Sequence, residues 1–348
     1  MKAVMYKLQA DGHRSRFHKL CCRRILLLAR TVRMHSKGTI IYHLIMEFYM
    51  KLSKIIPLLL LLLCVQTAFS GRLQVVTTYG YISDIVQRIG KDRVEVVALA
   101  RGDYNPHIII PKPSYIAKMR RADLLIINGG QLEIGWLPQI IRQANNGAVQ
   151  PGERGFLDLS QHVHLIDVPT SVSRELGDVH PEGNPHFFLD PENIPIVAKA
   201  ITARLSELDP SNQAFYEANN KELYTFWQQK MKTWEEKLKP LKGEKVVEYH
   251  KIFDYFLYRF GFTIAGTVEP LPGIPPTTKH IADVEKLIQR EGVKYILQDV
   301  YNPQDASLYL SKKLNIKLLI LPHDVGAIKE ADNVFSVFDE IVRRLTNG

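Results

Sequence analysis

From residue 72 onward the chain alternates short apolar runs with longer segments of helical period. The runs "RLQVVTTY" (72–79), "RVEVVAL" (93–99), "DLLIINGG" (123–130) and "GFLDLS" read as buried strands. Between them "ISDIVQRIG", "SYIAKMRRA", a stretch within 133–145 and "IPIVAKAITARLSEL" read as helices, the last opened by Asp190-Pro191-Glu192-Asn193. The alternation resumes with "KVVEYH" (245–250), "FTIAGTV" (262–268), "KYILQD" (294–299) and "KLLILP" (317–322). Helices are expected near 252–259, 279–291, 303–313 and 332–346. Strand–helix alternation of this kind predicts an α/β fold with parallel sheets and right-handed crossovers.

One segment breaks the rhythm. Residues 211–241 carry no internal Pro or Gly until Pro240, and Ser211 is placed to cap them. Phe215, Leu223, Phe226, Met231, Trp234 and Leu238 mark an apolar stripe. A helix here is about 42 Å long, which suits a stiff connector. The expected organisation is therefore an N-terminal α/β lobe (71–210), a connecting helix (211–241) and a C-terminal α/β lobe (242–348), with a ligand site in the cleft between the lobes.

Charge and cysteine divide the chain elsewhere. The formal net charge of +9 comes from the first 70 residues, which hold 12 Lys+Arg against 2 Asp+Glu. The remainder carries 33 basic and 34 acidic residues, so it lacks the basic excess expected for nucleic-acid binding. Cys21, Cys22 and Cys64 also precede residue 71, so the body has no thiolate for a metal or a disulfide. Within "MKLSKIIPLLLLLLCVQTAFSG" (50–71), Lys51 and Lys54 precede an 11-residue apolar run, and Ala68-Phe69-Ser70 has the form of a cleavage site. That is a secretory signal peptide over 50–70, and the run is shorter than the roughly 20 residues of a membrane span. Leu63, not a small residue, precedes Cys64, which favours a soluble exported protein over a lipid-anchored one. Residues 1–49 then read as an upstream extension of the frame, with translation starting at Met50 or Met46.

The candidate chemistry lies at strand ends. Asn-Pro-His occurs at 105–107 and again at 184–186, and in each the proline stiffens the approach to a histidine. His107 follows the 93–99 strand, His186 precedes the helix that opens after Pro191, His250 closes "KVVEYH", and Asp324 follows "KLLILP" in "LPHDVGA". Three imidazoles and a carboxylate suit Zn²⁺. Each of these residues taken singly has an ordinary structural reading, because no zinc-finger or His-Glu-x-x-His spacing surrounds it. His323 and Asp299 are rivals to Asp324. Glu133 reads as a supporting group near the cleft, and Asp190-Pro191 as helix initiation. His162, His164 and His180 lie in a polar loop over 161–185.

"GDYNPHIIIPKPSYIAKMRRADLLIINGGQLEIGWL" resembles the first-lobe signature of the metal-ion solute-binding proteins of ABC importers. These are the zinc- and manganese-uptake binding proteins, whose family includes some streptococcal-type metal-binding adhesins. "GNPHFFLDPEN", "EYHKIFDYFLYRFG" and "LPHDVGA" resemble that family's later metal segments, and the similarity spans nearly all of 71–348. The resemblance implies that His107, His186, His250 and Asp324 are the metal ligands. It implies a periplasmic, monomeric receptor that delivers one divalent ion to an ABC permease in the inner membrane. With His250 at the third position the nitrogen-rich set points to Zn²⁺ first, then Mn²⁺ or Fe²⁺. Affinity is expected to collapse as pH falls through about 6.5. A metal-binding adhesin shares the fold. A secreted zinc hydrolase is the other alternative, for which Glu248, two residues before His250, is the candidate base.

Overall fold

The computed structural model describes residues 46–50, 71–170 and 180–347. The expected extension over 1–49 and signal peptide over 50–70 lie outside these, apart from the short helical stretch 46–50, as does 171–179 of the histidine-bearing loop. Among the described residues no helix is long and apolar enough to cross a membrane.

Residues from Gly71 onward form one compact unit built on two parallel four-stranded sheets. The first holds β1 (Leu73–Thr77), β2 (Val94–Ala98), β3 (Leu124–Ile127) and β4 (Phe156–Asp158) in the order β2-β1-β3-β4. Val75 pairs with Val96 on one side and Leu124 on the other. Helices α1 (Gly80–Gly90), α2 (Pro113–Arg120), α3 (Leu137–Ala144) and α4 (Asn193–Leu208) accompany this sheet. The long helix α5 (Gln213–Leu238) follows. The second sheet holds β5 (Lys245–Glu248), β6 (Thr263–Thr267), β7 (Tyr295–Gln298) and β8 (Lys317–Ile320) in the order β6-β5-β7-β8. Its helices are α6 (Asp254–Phe260), α7 (Thr278–Glu291), α8 (Asp305–Leu314) and α9 (Val334–Asn347). Both sheets thus repeat one strand order. The strand cores, such as Leu124, Leu125 and Ile126, are buried and continuously apolar, as sheets covered on both faces require.

The stripe on α5 differs from the one expected. Its buried positions are Tyr216, Asn219, Leu223, Trp227, Met231, Trp234 and Leu238, spaced three or four apart. Phe226 falls off that face and is 46% exposed, because a step of five residues to Met231 turns it about 140° around the helix. α5 is also more than a strut. It packs on α1, α4 and α9, and one apolar core runs from Val75 and Ile85 through Trp227 to Phe256 and Phe338. A smaller cluster that includes Val284, Ile288 and Leu310 covers the second sheet's other face. The two sheets therefore share a core rather than hanging on a free linker.

Polar contacts join the same elements. Arg259 on α6 donates from Nε and Nη2 to the two oxygens of Asp190 (2.9 and 2.7 Å). Asp190 thus does more than start α4. Tyr255 donates its OH to Asn184 O at 2.7 Å, and Lys230 and Trp234 on α5 both reach Asp339 on α9. Gly102 permits a close approach of backbones, since a Cβ there would lie 2.1 Å from Val325 O.

Candidate metal site

The two Asn-Pro-His tripeptides are built alike. Asn105 Oδ1 accepts the His107 N–H and Asn184 Oδ1 accepts the His186 N–H, both at 2.9 Å. Each is an Asx turn closing over the proline. The proline carbonyls are held as well, Pro106 O by Tyr79 OH (3.0 Å) and Trp136 Nε1 (3.2 Å), Pro185 O by Asn128 Nδ2 (3.0 Å). Proline supplies only part of each mount. Asparagine and these donors supply the rest.

His250 comes from the second sheet, two residues past β5. Glu269 stands two residues past β6, and Glu248 pairs with Thr267 in that ladder. The register places the two side by side, with His250 Nδ1 2.8 Å from Glu269 Oε2. With the carboxylate ionised, Nδ1 carries the proton and Nε2 is left as a metal-binding lone pair. Sequence reasoning missed Glu269, although the strand-end criterion that found His250 applies to it equally.

The structure brings His107, His186 and His250 together. Their ligand atoms all lie within 4.8 Å of one another, and their ring centroids are 5.2, 5.5 and 5.7 Å apart, packed edge to face. His186 is 1% exposed and His250 8%. His107 Nε2 and both ring nitrogens of His186 are buried without a hydrogen-bond partner. Unpartnered buried nitrogens are costly, and a divalent ion satisfies one on each ring. Tetrahedral zinc holds its nitrogens roughly 3.3 Å apart, so the rings need only a small inward shift. Burial, then the neighbouring histidines with His250 first, pushes the His107 imidazole well below its ordinary value. Burial and then His107 do the same to His186. Both are neutral and ready to ligate at neutral pH.

Asp324 does not join them. Its Oδ2 accepts the Gly80 N–H (2.9 Å), and its Oδ1 accepts those of Tyr81 (2.8 Å) and Val325 (2.7 Å). It caps the start of α1 from the other sheet, where the helix dipole favours an anion. Burial nonetheless pushes its carboxyl up to about 6. The rivals fare no better as ligands. Asp299 accepts from Tyr301 N, Asn302 N and Asn302 Nδ2. His323 is buried, with its ring 5.0 Å from that of Tyr301, and burial lowers it to about 4. Glu133 accepts from Thr78 OH, Asn128 N and Gly129 N, a supporting role in the β3–α3 turn. His162 and His164 are exposed, while the His180 ring lies 5.1 Å from that of His107. Glu248 is fully buried, with Oε2 accepting the Phe253 N–H, so the hydrolase reading loses its base.

Two parallel-sheet lobes sharing a core, with three clustered imidazoles drawn from both, define an α/β solute-binding protein whose cleft is equipped for a metal ion. The chain belongs to the family described as ZnuA, zinc-uptake complex component A, periplasmic, whose model matches residues 75–348. That family is a transport component rather than an enzyme.

Among relatives, the manganese ABC transporter substrate-binding lipoprotein PsaA of Streptococcus mitis is 31% identical over 201 residues, covering 56% of this chain and 62% of its own. The metal ABC transporter substrate-binding lipoprotein FimA of Streptococcus parasanguinis is 28% identical, with 55% of this chain and 60% of its own covered. The chain thus spans about three fifths of the length of these relatives. A crystal structure of ZnuA superposes with a TM-score of 0.67 at 18% identity, covering 80% of this chain and 99% of that one. At that identity the likeness is one of fold.

Proposed function

We propose that this protein is the periplasmic substrate-binding component of a metal ABC importer, capturing one Zn²⁺ between its lobes for delivery to a membrane permease. The observation that carries the proposal is the convergence of His107, His186 and His250 from both sheets. Mn²⁺ and Fe²⁺ rank behind zinc, because three nitrogen donors suit a borderline-soft ion better than an oxygen-seeking one. The relatives' names include manganese transporters, so the metal has to be measured. Titration calorimetry on chelator-stripped protein is expected to give one Zn²⁺ per chain, bound at least 100-fold tighter than Mn²⁺. Absence of saturable zinc binding at micromolar metal would falsify the reading, and tighter manganese binding would reassign the cargo.

Asp324 was the fourth expected ligand. On our reading the resting set is the three histidines, oriented by Glu269 and by the two asparagines. Among the described residues no fourth donor joins the three imidazoles.

A further inference from the structure

A cavity of about 470 Å³ adjoins the histidine cluster, with His107 and His250 in its wall. That volume suits a small organic molecule rather than a bare ion. Glu269 and Asp305 line it, and among the described residues no lysine or arginine does. Tyr249, Tyr301 and Tyr309 add aromatic surface, and the Tyr301 OH is buried there without a hydrogen-bond partner. The cavity therefore offers acidic and phenolic partners to a ligand's amine, flat apolar walls to its body, and metal-holding imidazoles at one side.

We propose that this cavity binds a small zwitterionic chelator of amino-acid size, which completes the coordination of the metal, so that the ion can be taken up as a complex. The inference rests on the three histidines holding the metal. The three nitrogens found among the described residues leave a tetrahedral ion one position short, and Asp324, the expected fourth ligand, is occupied at the start of α1. A carboxylate oxygen of the chelator fills that position, and its ammonium end faces Asp305. The two acidic residues in its wall disfavour a polyanionic chelator such as citrate.

Native mass spectrometry of the chelator-stripped protein with zinc, alone and with L-histidine or citrate, tests this. The expected result is a protein–zinc species in all three conditions, and a protein–zinc–histidine species only when histidine is present. Ala306→Phe, which fills the cavity away from the imidazoles, should abolish the ternary species and leave the zinc species intact. Asp305→Asn, an exposed change at the start of α8, should weaken the ternary complex at least fivefold, and it covers the case in which Ala306→Phe fails to fold. Zinc binding with no ternary species, or a ternary species insensitive to Asp305→Asn and to any folded Ala306→Phe protein, overturns the proposal. Failure to bind zinc at all would instead sink the metal site on which it rests.

Discussion

At the scale of single residues, the site depends on side chains that touch no metal as much as on those that would. Glu269 fixes the tautomer of His250. Glu269→Gln keeps the shape but removes the anionic acceptor, and zinc affinity is expected to fall about 10–100-fold. Calorimetry should show this with the fold intact by circular dichroism. Asp324→Ala separates two roles. As a cap it holds three backbone N–H groups, and its loss should cost on the order of 2–3 kcal/mol of stability with less than a tenfold change in zinc affinity. A hundredfold loss of affinity at unchanged melting temperature would make it a ligand after all. His107 and His186 were legible because each sits in Asn-Pro-His, a local motif that presets its backbone. The partners of Asp324 were not legible, because an aspartate after a strand can face the cleft or reach across to another helix, and the helix start it caps lies more than 240 positions away.

At the scale of elements, every expected strand and helix of the body formed, with ends shifted by a few residues. The long helix was legible from its uninterrupted length. Its buried face was not, because Phe226 and Trp227 are neighbours and only packing chooses between them. Trp227 is 1% exposed and donates Nε1–H to Pro191 O at 2.8 Å, whereas Phe226 is largely open. Trp227→Ala is expected to cost about 3–5 kcal/mol and Phe226→Ala about 1 kcal/mol or less. Urea unfolding of the two variants checks the ranking, and equal losses would contradict the assigned face.

At the scale of the whole molecule, burial sets the pH response. An ordinary imidazole would carry roughly 0.8 proton at pH 6. His107 and His186 are held well below the ordinary value. Zinc binding at pH 6 should therefore release far fewer than the roughly 1.6 protons that two ordinary imidazoles would lose. Affinity should persist to lower pH than the expected collapse near 6.5. Calorimetry in buffers of different ionisation enthalpy counts those protons, and release of about 1.6 or more from these two sites would refute the claim. For folding stability the signs oppose. The neutral histidines contribute stability above about 6.5 that is lost as pH falls. Glu133, pushed up to about 7 by burial, and Asp324, pushed up to about 6, contribute stability at low pH that is lost as pH rises. The melting temperature of the metal-free protein should therefore vary less between pH 4.5 and 7 than either set alone would dictate.

The sequence by itself determined the elements, the parallel α/β class and two of the three clustered histidines most plainly, because helical period, strand burial and proline mounts are local properties. Only the tertiary structure decided which strand-end groups meet. His250 reaches the other imidazoles, Glu269 reaches His250, and Asp324 turns to α1. Which groups meet depends on how two sheets with the same strand order share one core. That docking is set by contacts among residues far apart in the chain, such as Arg259 with Asp190 and Gly102 beside Val325, which no local pattern encodes.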